Sequence, residues 1–204
     1  MKIRKTQNDI LMSIAPKWIV KILNGEKTVE IRKRFPNDYV GWVYIYCTKA
    51  LPLARYVDDT KRYMFLSGST DSIKNERESG KYINGKVVAR FWCDKVEEYS
   101  IDNTCPRYKD NYYHADCCLT NKEIYDYVGN KTYKAIHISK LEIFDKPKNV
   151  SEFLKPGTPT YEETKAVLKG SQHNYSKKDF LYSQKLFHNI IERAPQSWCY
   201  AREA

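Results

Sequence analysis

The chain has 204 residues, 42% hydrophobic and 29% charged, with a formal net charge of +10. That length suits a single decorated domain with a core of ordinary size. No run approaches the roughly 18 apolar residues of a membrane helix. The basic start Met1-Lys2-Ile3-Arg4-Lys5 is not followed by the apolar segment of a signal peptide, so a cytoplasmic protein with no membrane partner is expected.

The charge is uneven. Residues 1–34 hold nine Lys/Arg against three Asp/Glu, six of the ten surplus charges. A polyanionic partner is expected, and nucleic acid is the commonest. The plain alternative is a generally basic surface. Seventeen Tyr, four Trp and seven Phe supply rings that can stack on unpaired bases, though most must serve the core. The six cysteines include no Cys-x-x-Cys pair. Cys47 and Cys93 sit in apolar runs and read as buried thiols, and the missing secretion signal argues against disulfides.

In chain order, residues 1–12 predict a leader strand or arm. Ser13-Ile14-Ala15-Pro16 predicts a helix start, with Ser13 or Ala15 at the cap and Pro16 in the first turn. Trp18, Ile19, Ile22 and Leu23 form its apolar stripe, and Asn24-Gly25 closes it. A strand over about 26–34 follows, then a turn at Phe35-Pro36-Asn37-Asp38 and a β-prone run from Gly41 to Thr48. Residues 50–85 are polar and read as an insertion, with a loop signature at Ser67 to Ser72. A long strand is expected over Lys86–Tyr99. Thr120-Asn121-Lys122-Glu123 is a capping box opening a helix to Val128. A further strand runs from Thr132 to Phe144, ended by Pro147. A short helical piece near Tyr161 to Leu168 and a helix over Phe180–Arg193 complete the pattern. Many strands and few helices predict an α+β fold, a small and mostly antiparallel barrel with helical trim.

The segment Gly25-Glu26-Lys27-Thr28-Val29-Glu30-Ile31-Arg32-Lys33-Arg34 carries the densest chemistry. On a strand, Thr28, Glu30 and Arg32 share one face, Val29 and Ile31 take the other, and Lys27 and Arg34 mark the ends. A carboxylate flanked by cations suits a ligand with polar edges or negative charge. An ordinary exposed strand with a surface Arg32–Glu30 ion pair would look the same.

Set after Ser13-Ile14-x-Pro16 and before Val43-Tyr44-Ile45-Tyr46, the element Ile22-Leu23-Asn24-Gly25-x-Lys27-Thr28-x-Glu30-x-Arg32 resembles the ASCH domains of the PUA-like superfamily. Gly-x-Lys-x-x-Glu-x-Arg is their signature. Gly85 to Phe91, Tyr133 to Ile138 and the closing Pro195-Gln196-Ser197-Trp198-x-Tyr200 resemble a bacterial and phage subgroup. The resemblance covers roughly residues 11–48, 85–99 and 119–200. It implies one domain over 1–204, a five- or six-stranded PUA-like barrel with insertions at about 50–84 and 155–180, and a cleft beside the first helix. It further implies a role with RNA, nucleotides or modified nucleosides. Some members deacetylate N4-acetylcytidine and others are ribonucleases. In the deacetylases a Lys, a Thr three residues later and a distant Glu act together. Lys27 matches the Lys, Glu30 stands where the Thr would be, and no distant Glu aligns, with Glu97 and Glu98 following the third strand as candidates. That departure weakens the acyl chemistry, although Lys27 and Glu30 remain the catalytic pair if the protein is an enzyme.

The expected ligand set is therefore Lys27, Thr28, Glu30, Arg32, Arg34, Tyr44, Tyr46, Ser197 and Trp198. Glu30 can accept from a base amino group, Lys27, Arg32 and Arg34 can hold phosphate, and Tyr44, Tyr46 or Trp198 can stack. No cofactor is called for. Cys105, His114, Cys117 and Cys118 offer soft ligands within a short span, but zinc sites usually space their cysteines, and no metal is expected. Cys199 with His137 or His188 is a weaker nucleophilic pairing.

Overall fold

The computed structural model describes residues 8–66, 82–101, 112–129, 131–167 and 176–204. The first seven residues of the leader strand or arm expected over 1–12, the Ser67–Ser72 loop and Cys105 lie outside the described residues. Six strands make the main sheet: β1 (Asp9–Ile14), β3 (Gly41–Cys47), β6 (Val87–Cys93), β11 (Lys140–Lys148), β12 (Phe153–Leu154) and β13 (Trp198–Glu203), in the order β11-β6-β3-β1-β13-β12. Every pairing in it is antiparallel except β1 with β3, where Ile10 lies opposite Val43 and Ile14 opposite Cys47. A parallel pair requires a crossover rather than a hairpin. That crossover contains helix α1 (Pro16–Leu23) and strand β2 (Val29–Arg32), which are the motif segment itself.

β2 belongs to a second sheet of three strands, β2-β10-β7, with β7 at Val96–Ser100 and β10 at Thr132–His137. The fold is thus α+β and mostly antiparallel, with the main sheet curled as a half-barrel. Alternation along the strands sorts two cores. Ile10, Met12, Val43, Ile45 and Phe91 pack beneath Ile19 and Ile22 of α1 and beside Ile136 of β10. Leu11, Tyr44, Phe153 and Ala201 pack on the outer face of the same sheet. Tyr44 and Tyr46 therefore point away from the face that α1 covers.

Five expectations are corrected. The long strands expected over Lys86–Tyr99 and Thr132–Phe144 are each two strands. The breaks at Asp94-Lys95 and Ile138-Ser139 carry the chain between the main and second sheets, with no Gly or Pro to signal them. Pro147 lies inside β11 rather than ending a strand. β11 is an edge of the main sheet, and its register slips between Ile143 and Lys148, so the missing N–H is tolerated. The polar insertion over 50–85 holds a hairpin of β4 (Ala54–Val57) and β5 (Arg62–Phe65). The Asn24 side chain clamps this hairpin to the end of α1: its Nδ2 donates to the Tyr63 carbonyl (3.0 Å) and its Oδ1 accepts from the Tyr63 N–H (2.9 Å). The helix expected over Phe180–Arg193 is shorter: α4 spans Lys177–Leu186 and is capped by Ser176. His188 then turns at φ +55, and Ile190 bridges to Leu154 of β12.

Short strands β8 (Tyr113–His114) and β9 (Leu119–Thr120) lead into helix α2 (Asn121–Val128), and α3 covers Tyr161–Val167. Thr120 caps α2 as expected: its Oγ1 accepts from the Glu123 N–H (3.1 Å) while Glu123 accepts from the Thr120 N–H (2.9 Å). Thr120→Ala should therefore cost about 1 kcal/mol in urea unfolding; no measurable loss would contradict this cap. At the start of β1, burial raises the Asp9 carboxyl from 3.8 to about 6, with Arg90 opposing it. The stability tied to its protonated form is complete below about pH 4 and is lost as pH rises through about 6. Asp9→Asn should stabilise the fold at pH 8 and leave it little changed at pH 4, which thermal melts at both pH values would read.

Candidate functional site

The start of the motif is set by α1. Pro16 takes its first position and Ala15 is the cap, with no side-chain bond to the exposed N–H groups. Gly25 follows the helix at φ +74, a backbone that glycine adopts without strain. This reverses the chain and runs Lys27 back beneath the helix. A second turn, residues 115–118, meets it there. The Asp116 carbonyl accepts from the Thr28 and Val29 N–H groups (2.8 and 2.9 Å), fixing the entry to β2. Cys118 completes that turn at φ +57.

Lys27, Glu30 and Arg32 are buried together, at 2%, 5% and 9% exposure. An exposed surface pair is thereby excluded. Lys27 Nζ donates to the Cys117 carbonyl (2.6 Å) and lies 3.4 Å from Glu30 Oε2. Arg32 Nη2 donates to the Ser13 carbonyl (2.7 Å) at the end of β1. Arg32 Nε lies 3.0 Å from Glu30 Oε1 but is too poorly aligned to donate to it. The contact is Coulombic, and Nε is a buried donor without a hydrogen-bond partner among the described residues. One carboxylate therefore holds two cations, and each cation is tied to a backbone carbonyl from a different segment of the chain.

The three line a cavity of about 400 Å³ beside α1. Trp18 of α1, Ile31 of β2, Leu119 and Tyr127 supply its apolar walls, and Glu123 and Asp126 of α2 stand with Lys17 among its lining. Lys17 and Lys27 approach the Trp18 ring at 4.1 and 5.4 Å, and Lys33 lies 5.0 Å from the centre of the Tyr127 ring. Lys17, Lys27 and Arg32 face Glu30, Glu123 and Asp126, so the lining carries no net charge. Sequence reasoning missed Trp18, Tyr127 and the α2 carboxylates. The one available signal was the capping box, which placed Glu123 on a helix.

The other expected ligand residues lie elsewhere. Thr28 and Arg34 are exposed, outside the cavity lining. Tyr44 is buried on the outer face, where its hydroxyl donates to Glu203 Oε2 (2.9 Å). Burial first, and then Glu203, push its phenol far above the usual range. Tyr46 lines a separate groove. Ser197 is exposed, and its carbonyl accepts from the Ser13 N–H (2.8 Å). Trp198 packs against Phe35 and donates to the Arg34 carbonyl (2.8 Å). Glu97 and Glu98 pair on the second sheet with His137 (2.9 Å) and Lys134 (2.7 Å). His114 contacts Asn121 (2.6 Å), and no three metal-ligating side chains gather among the described residues. Burial pushes the Cys47 and Cys93 thiols up to about 12.

A curled α+β half-barrel with a buried Lys–Glu–Arg cluster beside its first helix is thus the class of molecule. No family model matches the chain, and no curated protein matches it. Among solved structures it is similar to the ASCH protein of Zymomonas mobilis, at 15% identity and TM-score 0.47 over 96% of this chain and 88% of that one. It is also similar to a Tyr-to-Phe variant of that protein (15%, TM-score 0.49, 96% and 91% covered). A Ser-to-Ala variant gives 14%, TM-score 0.48 and coverage of 96% and 89%.

Removing one member of the cluster should strand the others. Lys27→Met leaves the Cys117 carbonyl without its donor and Glu30 with Arg32 alone. It should cost roughly 3–5 kcal/mol in urea unfolding, with part of the loss recovered in Lys27→Met/Glu30→Gln. A single variant as stable as the parent would mean that the cluster is solvated in solution.

Proposed function

We propose that the chain binds RNA or nucleotides by taking one unpaired or modified base into the cavity beside α1. The observation that carries this reading is the buried Lys27–Glu30–Arg32 cluster in the lining of a cavity walled by Trp18 and Tyr127, a lining with no net charge. Glu30 keeps lone pairs free for an exocyclic amino group of cytosine or adenine. Lys27 has a third N–H beyond its two existing contacts. Trp18 and Tyr127 offer rings on which a base can stack. The cavity volume falls within the usual range for small-ligand sites, roughly 300–1,000 Å³. A phosphate is a poor occupant, because three carboxylates offset the three cations.

No specific observation favours the hydrolase alternative, whether ribonuclease or N4-acetylcytidine amidohydrolase. Lys27 Nζ faces two acceptors, as a structural donor does, and neither Glu97 nor Glu98 lines the cavity.

Fluorescence anisotropy with short labelled RNAs tests the reading. Cytidine- and adenosine-rich strands should bind more tightly than uridine-only strands. Glu30→Gln should remove that preference and weaken binding tenfold to a hundredfold, as expected for a hydrogen bond to a charged group of about 1.5–3 kcal/mol. Equal affinity of the parent protein for all strands would overturn it.

A further inference from the structure

We infer a second binding surface, a groove that holds the phosphodiester backbone of the nucleotides flanking the bound base; it rests on the base-binding reading above. The groove encloses about 1080 Å³ and shares one residue with the cavity, Ser13. Ser13 joins the two sites physically. Its carbonyl accepts from Arg32 in the buried cluster, and its Oγ donates to the Pro195 carbonyl (2.6 Å) in the groove lining. The two sites thus adjoin at Ser13, which is itself buried.

The chemistry of the two sites is complementary. The cavity lining is neutral, whereas Lys49, Lys86 and Arg193 line the groove against one carboxylate, Glu192. These cations come from three places in the chain: after β3, before β6 and in the link before β13. Gly85 stands at φ +80 with the Lys49 stem across it, so close that a Cβ there would come within 3.3 Å of Lys49 Cγ. Lys86 Nζ is steadied by the Asn149 side chain (2.6 Å). Lys49 and Arg193 have no ion-pair partner among the described residues. Tyr82 adds a ring to the same lining. Surface cations with an aromatic along an open groove suit single-stranded nucleic acid, whose backbone they track while bases stack. The groove is larger than the cavity that takes the base, and far larger than one phosphate needs.

The test uses the full chain, a labelled RNA of about six nucleotides, free cytidine and inorganic phosphate. Lys49→Gln/Arg193→Gln should weaken binding of the RNA about tenfold at low salt. It should also reduce the slope of log affinity against log salt by roughly 1.4, since each single-strand phosphate contact contributes about 0.7. Cytidine binding should not change. Unchanged RNA affinity and slope would overturn the groove and leave the base site standing. So would complete displacement of the RNA by millimolar phosphate, which would make the groove a simple anion site. If the groove variant loses RNA while Glu30→Gln binds it as the parent does, the groove stands and the base reading falls.

Discussion

The burial of Lys27, Glu30 and Arg32 is the constraint on which the rest of the structure depends. Taking an ion out of water costs several kcal/mol even after relaxation, and mutual attraction offsets this only when geometry and further hydrogen bonds are supplied. Here the further bonds come from the Cys117 and Ser13 carbonyls. Neither lies in β2. The turn over 115–118 and the end of β1 must both meet β2 at fixed distances, so three segments far apart in sequence are pinned by one cluster. A core of ordinary apolar residues at those positions would make no such demand. A protein that keeps the charges buried keeps them at a cost in stability, and the orphaned Arg32 Nε is the visible part of that cost.

The topology is what allows the cluster to form. β1 and β3 run parallel, so the chain between them must cross over the sheet rather than turn back. α1 covers the inner face with Ile19 and Ile22, and β2 then leaves the main sheet to pair with β10. The motif is therefore suspended between two sheets, with a helix over it. The pairing register puts Glu30 opposite Ile136 and Arg32 opposite Lys134, which turns the polar face inward, while Val29 and Ile31 pack with Leu119, Ile124 and Val128. An edge strand on a single sheet would have left the same residues in water.

Much of this was legible. The period of two along Val29 to Arg32 sorted the two faces correctly, Gly25 marked the end of the helix, and Thr120 with Glu123 marked the start of α2. What was not legible has a common physical cause. Backbone carbonyls carry no sequence signature, so the acceptors from Cys117 and Ser13 could not be foreseen. The breaks at Asp94-Lys95 and Ile138-Ser139 lie in β-prone runs without Gly or Pro, because the need to change sheets is a tertiary one. Sequence alone offers Tyr44 and Tyr46 as rings for a ligand. Their parity along β3 was available, but which face α1 would cover was not, and the outer face received them. β-propensity fixes a strand and its alternation, and only packing decides which side becomes a site.

The electrostatics of the two concave sites give the clearest division of labour. Nine cations against three carboxylates in the first 34 residues point to a polyanion, yet the two of those cations closest to the chemistry, Lys27 and Arg32, are tied to Glu30 and to backbone. They are placed as directional donors rather than as free charge. Directional donors discriminate edges, because a misplaced or missing partner leaves a buried group unsatisfied. Free surface cations give affinity and salt dependence without discrimination. The cavity has the first kind and the groove has the second, so on the proposed reading the part of a ligand that carries information and the part that carries charge would meet different residues. That separation follows from Glu30: with an uncharged residue there, Lys27 and Arg32 would become unpaired buried charges, and the acceptor that orients them would be gone.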